Sequence, residues 1–245
     1  MWKSNSYEVV GRAHLKSGMP CQDKTLKMQQ DGVFAIALAD GAGSAKDSET
    51  GALVAVRSSA EFVTGNFEDL YAFMDGEEAK QQLTGHFLKQ LQQKSEELGC
   101  KLSDLASTLL LAAVKDDRFL ITHIGDGVIG YMVDGVLKVA SHPQNGEFAN
   151  ETVFTTSAGM EHSMKLIKGK LDGVNGFVLM SDGSAASLYN RQTLELAKPV
   201  QEILKKNTEL EGQRMGQLIR HLFDEMIVKR TTDDCSIAVL SRAEL

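Results

Sequence analysis

The sequence has few of the residues that interrupt, cross-link or anchor a chain. Its 245 residues include 3 prolines, 3 cysteines and 1 tryptophan, and no apolar run reaches the roughly 20 residues of a membrane helix. The cysteines are odd in number and far apart, so they form neither a disulfide framework nor a paired zinc motif. We therefore expect reduced thiols and no membrane partner.

Charge and composition narrow the class of function. The formal net charge is -7, whereas a protein that grips nucleic acid phosphates is normally basic, so no nucleic-acid partner is expected. The first six residues hold no apolar stretch of the signal-peptide kind, which favours a cytoplasmic protein. No Pro-, Gly- or Ser-rich linker and no repeat divides the chain, so we predict one domain over 1–245, present as a monomer.

Hydrophobic spacing predicts the secondary structure. Helical spacing indicates helices at 45–64, 77–98, 192–205 and 209–228. Short apolar runs indicate strands at 33–39, 107–115, 118–124, 128–133, 136–140, 176–181 and 235–240. Ser44 is the expected N-cap of the first helix, with Asp47 closing a capping box. Tight turns at Asp116-Asp117 and Asp134-Gly135 indicate antiparallel hairpins, so the pattern predicts an α+β sandwich.

The dipeptide Asp-Gly occurs seven times, and its ordinary explanation is a turn. We apply that explanation to Asp31, Asp75, Asp134 and Asp172, because polar or loop-like sequence surrounds most of them. The other three pairs each end an apolar run, which aims a carboxylate from the end of a buried strand. They begin at Asp40, Asp126 and Asp182.

Asp233 is the reverse case, because it precedes the apolar run 235–240. In an antiparallel sheet the start of one strand lies beside the end of its neighbour, so Asp233 is expected near Asp40 and Asp182. Clustered carboxylates repel one another unless cations are bound, and an all-oxygen ligand set suits Mg²⁺ or Mn²⁺ better than Zn²⁺. Two such ions can activate a bridging water at phosphorus. A two-metal phosphoester hydrolase is the first interpretation, and a structural cation site is the main alternative.

Several further segments complete an ordered series of motifs. The series is 11–14 (Gly-Arg-Ala-His), 20–23 (Pro-Cys-Gln-Asp), 38–44, 106–109, 123–127, 146–152, 179–183 and 232–236. In order and spacing it resembles the bacterial form of the type 2C metal-dependent serine/threonine protein phosphatases, almost from end to end. The resemblance implies a four-layer sandwich in which two central antiparallel β-sheets are flanked by α-helices.

The resemblance also implies roles for individual residues. Asp40 is expected to bridge two metal ions, and Gly41 to offer its backbone carbonyl to one of them. Asp182 and Asp233 are expected as the remaining direct ligands. Asp23 is expected to hold metal-bound water. The predicted cofactors are thus two Mn²⁺ or Mg²⁺ ions per active site.

Other positions receive secondary roles from the same resemblance. Asp126 is a candidate ligand of a third, weaker metal, and Asp234 is expected to have a supporting role. Segment 142–157 is expected to be a flap over the substrate. Its residues Glu147, Asn150 and Glu151 are either functional or caps that tie down the loop, and both explanations stay open.

The chain departs from the family pattern at several positions, two of which concern the substrate phosphate and the proton donor. Gly18 stands where many members have an arginine that holds the substrate phosphate, so Arg12, His14 or Lys16 would supply the charge. Ala42 stands where eukaryotic members have a histidine proposed as general acid, so the proton would come from metal-bound water or from His14. The predicted catalytic residues are Asp40, Asp23 and His14, and the predicted phosphate ligands are Arg12 and His14. His123, in an apolar strand, is interpreted as a satisfied core residue.

The leading hypothesis is hydrolysis of phosphoserine and phosphothreonine in proteins by a two-metal-activated water. The expected partners are phosphorylated proteins, the targets of a serine/threonine kinase. One alternative is a catalytically weak or inactive pseudophosphatase that acts as a binding or regulatory module, which Gly18 and Ala42 motivate. Another is a phosphatase of small phosphoesters, because the metal chemistry would be the same.

Overall fold

The computed structural model describes residues 1–73, 76–144 and 152–243. Two five-stranded antiparallel sheets form its centre. The first contains, in spatial order, β1 (Lys3–Val9), β12 (Cys235–Ser241), β9 (Val174–Met180), β6 (Val128–Val133) and β7 (Val136–Ser141). The second contains β2 (Lys24–Gln30), β3 (Val33–Ala39), β4 (Leu109–Lys115), β5 (Arg118–Ile124) and β8 (Lys165–Lys170). A separate hairpin pairs β10 (Tyr189–Asn190) with β11 (Glu195–Leu196).

Helices surround the two sheets. They are α1 (Arg12–Ser17), α2 (Ser48–Gly65), α3 (Phe67–Ala72), α4 (Gly76–Leu98), α5 (Met160–Ser163), α6 (Asp182–Leu188), α7 (Lys198–Glu209) and α8 (Gly212–Leu222). Short 3₁₀ turns span Leu102–Leu105 and Val228–Arg230, and a π-helical turn spans Phe223–Ile227. None of the helices in the described ranges has the length and apolarity to cross a membrane.

The core has three apolar layers. Helices α2 and α4 cover the outer face of the second sheet. Helices α7 and α8 cover the outer face of the first. Between the sheets lies a third layer that includes the fully buried Leu38, Leu110 and Leu179, each of which stabilises the fold by about 1.5–3 kcal/mol. The predicted α+β sandwich of two antiparallel sheets flanked by helices is confirmed.

Two of the predicted helices have different bounds. The first half of 192–205 is not helical, because the side chain of Asn190 accepts hydrogen bonds from the N–H groups of Gln192 and Thr193 and turns the chain into the β10–β11 hairpin. Helix α7 begins only after Ala197. The predicted helix 209–228 begins at Gly212 and ends in the π and 3₁₀ turns.

The predicted capping box is wrong, whereas most of the predicted turns are confirmed. Helix α2 begins at Ser48 and has Asp47 as its N-cap, without a side-chain capping bond. The turn residues Asp31, Asp116 and Asp134 have φ of 50°, 52° and 50°, in the left-handed region that Asp tolerates in turns. Asp75 lies outside the described residues.

Candidate active site

Asp40 and Gly41 follow the buried strand β3 and are fixed by the segment before β4. The backbone carbonyl of Asp40 accepts a hydrogen bond of 2.8 Å from the N–H of Thr108, and the N–H of Asp40 donates to Thr108 Oγ1 at 2.9 Å. Gly41 faces Ser107 in an antiparallel bridge in which the hydrogen bonds are made by the flanking residues. The Gly41 carbonyl is therefore directed away from that neighbour.

Gly41 also allows helix α2 to approach the end of β3. A Cβ atom at position 41 would lie 2.9 Å from Cβ of Ser48, the first residue of α2. Any larger residue would push the helix away from Asp40. The glycine of this Asp-Gly pair thus serves the packing of α2 and is not merely a turn signal.

The strand register brings Asp23 beside Asp40. Lys24 pairs with Ala39 across β2 and β3, so the residue before β2 lies next to the residue after β3. Asp23 is fully buried. Neither of its carboxylate oxygens has a hydrogen-bond partner within the described residues. Burial raises the pKa of Asp23 to about 7, although the neighbouring hydroxyls of Ser236 and Ser181 oppose the rise.

Asp182 and Asp233 lie together, as the antiparallel arrangement predicts. The N–H of Ser181 donates to the carbonyl of Ser236 at 3.3 Å, which joins the end of β9 to the start of β12. A Cβ atom at Gly183 would lie 3.3 Å from Cβ of Asp233. The first turn of α6, which carries Asp182, therefore packs directly on the segment that carries Asp233.

The carboxylates form one electrostatic unit. Burial, followed by the charges of Asp23 and Asp182, raises the pKa of Asp40 well above its usual range. Burial, followed by the charges of Asp233 and Asp126, raises the pKa of Asp182 to about 6. Burial also raises the pKa of Asp233.

This donor set fits hard divalent cations. A buried carboxylate without partners is costly, and neighbouring carboxylates whose pKa values are raised by burial and mutual repulsion can bind a cation in place of protons. Across the ranges that the structure describes, no three His, Cys, Asp or Glu side chains converge as a ready-made metal cage. The fit therefore rests on the chemistry of Asp23, Asp40 and Asp182, and the metal roles of these residues stay predictions.

Asp126 anchors one end of the predicted flap. Its Oδ2 accepts a hydrogen bond of 2.9 Å from Thr152 Oγ1. Gln144 holds Gly125, the residue before Asp126, because the N–H of Gln144 donates a hydrogen bond of 2.9 Å to the Gly125 carbonyl. The two described ends of segment 142–157 are thus fastened to the same turn. Glu147, Asn150 and Glu151 lie outside the described residues, so their roles stay predictions.

His123 is a satisfied core residue, as its apolar surroundings indicated. Its Nε2 lies 2.9 Å from the Gly125 carbonyl and its Nδ1 lies 2.6 Å from Ser141 Oγ. A carbonyl only accepts, so Nε2 carries the proton and Nδ1 accepts from the serine. Burial lowers the pKa of His123 to about 3, which keeps the ring neutral. The ring also holds the turn that carries Asp126, and no sequence signal indicated that contact.

The two predicted phosphate ligands sit on α1 in different surroundings. His14 Nδ1 lies 3.0 Å from Oδ2 of the buried Asp234, the residue that follows Asp233. Arg12 is exposed, and its Nε donates to the Thr231 carbonyl at 2.8 Å. His14 is therefore near the carboxylate group, while Arg12 lies on the outer side of the same segment.

Comparison with known proteins identifies the family. The model of the family described as "Protein phosphatase 2C" matches residues 10–221. The chain belongs to the protein phosphatase 2C family. The resemblance inferred from the sequence and the enzyme class, a protein serine/threonine phosphatase, are thereby confirmed.

Relatives of this phosphatase agree in length and fold. "Serine/threonine-protein phosphatase 3" of Escherichia coli (strain K12) is 26% identical over 263 residues, which cover 99% of each chain. The crystal structure of a bacterial serine phosphatase superposes with a TM-score of 0.68 at 14% identity and covers 100% of both chains. The serine/threonine phosphatase Stp1 of Staphylococcus aureus gives a TM-score of 0.67 at 14% identity, over 100% of this chain and 96% of that one. The structural neighbours share the fold.

Proposed function

We propose that this phosphatase hydrolyses phosphoserine and phosphothreonine in proteins with the help of two Mn²⁺ or Mg²⁺ ions. The observation that carries the proposal is the grouping of Asp40 and Asp182 with the buried carboxylate of Asp23, whose oxygens have no hydrogen-bond partner within the described residues. Such a group has few stable states without a cation, because each charge opposes the others. Its substrates would be phosphorylated proteins, the targets of a serine/threonine kinase. A cytoplasmic, monomeric protein with a single domain fits the same proposal.

The position of each residue determines the role that we assign to it. Asp40, the Gly41 carbonyl, Asp182 and Asp233 would hold the ions, Asp23 would hold water next to them, and Asp126 would contribute to a third, weaker site. When bound, divalent cations supply Lewis-acid stabilisation of phosphoryl charge and activate water for attack. Thr108 orients Asp40 through two hydrogen bonds. His14 would be the better placed of the two candidate phosphate ligands, because it contacts the buried Asp234 whereas Arg12 is exposed and bonded to the Thr231 carbonyl.

A second candidate function is a catalytically weak binding module. Ala42 packs against Ala45, Ala106 and the partly buried Phe154, so this corner is apolar where a proton donor would be expected. His14 is engaged with Asp234, which limits its use as a general acid. Neither feature removes a predicted metal ligand, so hydrolysis remains the first proposal.

The decisive experiment measures phosphate release from a phosphoserine peptide and from p-nitrophenyl phosphate with Mn²⁺, in parallel with Mn²⁺ calorimetry. Hydrolysis is expected to disappear in excess chelator and in Asp40→Asn, and to persist in Asp31→Asn, which changes an exposed turn aspartate. Activity that survives either the chelator or Asp40→Asn would contradict the proposal. Mn²⁺ binding without hydrolysis would identify the binding module, and preference for phosphometabolites over phosphopeptides would identify a small-phosphoester phosphatase.

A further inference from the structure

The two sheets meet differently at their two edges. At one edge β1 contacts β2, and Glu8 Oε2 accepts hydrogen bonds from the N–H and the hydroxyl of Thr25 at 2.8 and 3.2 Å. At the opposite edge β7 and β8 are not paired, and the hydrogen bond found there within the described residues is a long one of 3.5 Å from Lys165 Nζ on β8 to the carbonyl of His142, directly after β7. The inter-sheet core is therefore closed on one side of the sandwich and open on the other.

The open edge exposes a cleft of about 450 Å³ between the sheets. Aromatic and aliphatic side chains line it, and Phe119, Tyr131 and Ile167 are only partly buried although they belong to the inter-sheet layer. Phe177 forms its floor and lies 5.4 Å from Phe119 between ring centroids. A volume of this size falls in the range of small-molecule sites, which are mostly apolar.

The cleft lies far along the strands from the carboxylate group. It is lined by residues from the first residues to the middle of two strands, Phe119 and Ile121 on β5 and Val174 and Phe177 on β9. The opposite ends of these two strands lead to Asp126 and to Asp182 respectively. The cleft is thus a separate site, and substrate phosphate would not reach it.

The shape of the cleft favours a thin ligand. Two packed sheets lie about 10 Å apart, which leaves room for a single layer of side chains. Small residues at the mouth, Ala140 on β7 and Gly169 on β8, leave that layer incomplete. A Cβ atom at Gly169 would lie 2.7 Å from the Phe119 ring, so the glycine is what allows the ring to sit at the opening. A straight acyl chain or a planar ring fits such a slot.

Two lysines line the cleft, and we assign Lys138 to the head of the ligand. Lys138 alternates with Ala140 on the cleft side of β7, is exposed, and forms no ion pair within the described residues. The ammonium nitrogen of Lys170 lies 4.0 Å from a carboxylate oxygen of Asp117. Asp172, at the mouth of the cleft, has a short side chain that is exposed to solvent. The long side chain of Lys138 can follow a ligand along the apolar wall while its ammonium group remains in water.

We propose that the open edge between β7 and β8 binds a small amphipathic anion, a medium-chain carboxylate whose chain enters the cleft and whose head meets Lys138. The site is independent of the phosphatase reaction, so its test needs neither metal nor substrate. The single tryptophan offers a direct reporter, because Trp2 lies 6.3 Å from Phe177 between ring centroids.

The test titrates the full chain with decanoate and with decanol, followed by Trp2 fluorescence and by calorimetry. We expect saturable binding of decanoate. Lys138→Gln should weaken decanoate binding about fivefold, as an exposed charge pair predicts, and leave decanol unaffected. Lys27→Gln is the matched control, since Lys27 is an exposed lysine on the edge strand β2 at the closed side.

Ala140→Phe places a ring in the cleft and should abolish binding of both compounds. The proposal is overturned if decanoate shows no saturable binding, if Lys138→Gln and Lys27→Gln behave alike, or if decanol binds as tightly as decanoate. Should Ala140→Phe fail to fold, the comparison of the two lysine variants decides the question.

Discussion

The backbone N–H of Gln22 donates a hydrogen bond of 2.6 Å to Oδ2 of Asp234, across 212 residues of sequence. The other oxygen, Oδ1, accepts from the N–H of Gly11 at 2.6 Å, and His14 Nδ1 lies 3.0 Å from Oδ2. One buried carboxylate thus fixes helix α1 and the residue before Asp23 against the start of β12. The supporting role expected of Asp234 is therefore mainly to align chain segments.

Removal of this carboxylate should destabilise the fold and weaken metal binding together. Asp234→Ala leaves the buried N–H groups of Gly11 and Gln22 without an acceptor, so we expect the free energy of unfolding to fall by about 3 kcal/mol. Asp234→Asn keeps one acceptor oxygen and should lose about half as much. Urea unfolding measures both, and Mn²⁺ calorimetry should show weaker binding in the same order.

The control for these variants is Glu61→Ala, on the exposed face of α2. It should change the free energy of unfolding by less than about 0.5 kcal/mol. If Asp234→Ala were as stable as Glu61→Ala, the hydrogen bonds of Asp234 would have no structural importance, and the alignment role would be wrong.

Gly183→Ala should disrupt the packing of the first turn of α6 on the segment that carries Asp233. A Cβ atom at this position would lie 2.1 Å from the carbonyl oxygen of Asp234, which is backbone and cannot move aside. We expect a loss of several kcal/mol of stability and of Mn²⁺-dependent hydrolysis. Gly216→Ala is the comparison, because no atom lies within 4 Å of its Cβ position in α8, and it should stabilise the helix by up to about 1 kcal/mol. Equal thermal stability of the two variants would show that the turn can relax.

Burial decided which elements were predictable from the sequence. The central strands β3 and β9 are covered on both faces, so their sequences contain apolar runs that predict strands. The edge strands β1, β2 and β8 carry polar residues on their exposed faces, so their sequences resembled loops. The hairpin β10–β11 depends on one side chain, Asn190, that caps its own turn.

The active site was predictable only in part, for a similar reason. The meeting of Asp182 and Asp233 followed from the antiparallel rule, because both residues adjoin apolar strands. The contacts of Asp234 were not predictable, because its partners are backbone N–H groups that the sequence does not distinguish from any others. The contact of His123 with the Gly125 carbonyl was missed because ring orientation is set by the surrounding core.

Thr108 should be important for the reaction through its hydroxyl. Thr108→Val keeps the shape of the side chain but leaves the N–H of Asp40 without its acceptor, so we expect kcat/KM to fall about tenfold, with weaker Mn²⁺ binding. Thr108→Ser keeps the hydroxyl and should recover most of the loss. A purely steric role would give the opposite ranking of the two variants.

Thr122→Val provides the matched comparison for this substitution. Thr122 Oγ1 is buried and has no hydrogen-bond partner within the described residues. Replacing that hydroxyl by a methyl group should leave activity unchanged and raise the free energy of unfolding by about 1 kcal/mol.

The stability of the metal-free protein should depend on pH in a direction that the carboxylates fix. An aspartate in an unfolded chain has a pKa of about 3.9, whereas burial raises the pKa of Asp23 to about 7 and that of Asp182 to about 6. Between about pH 4 and about pH 7 the folded chain therefore binds more protons than the unfolded chain. The contribution of these two groups to stability is greatest at low pH and is lost as the pH rises through 6 and 7.

Thermal unfolding with and without Mn²⁺ tests this dependence. In chelator, Tm should fall as the pH rises from about 5 to about 8. The Tm of Asp23→Asn should fall less than that of the wild type, because the amide does not titrate. Mn²⁺ should raise Tm most at about pH 8, where the ligands are ionised and the metal no longer competes with protons. Asp31→Asn, at an exposed turn, should follow the wild type throughout. The opposite result would be a Tm in chelator that rises over this pH range, and rises equally in the wild type and in Asp23→Asn. Asp23 would then not be the buried, unpaired acid that the structure places beside Asp40.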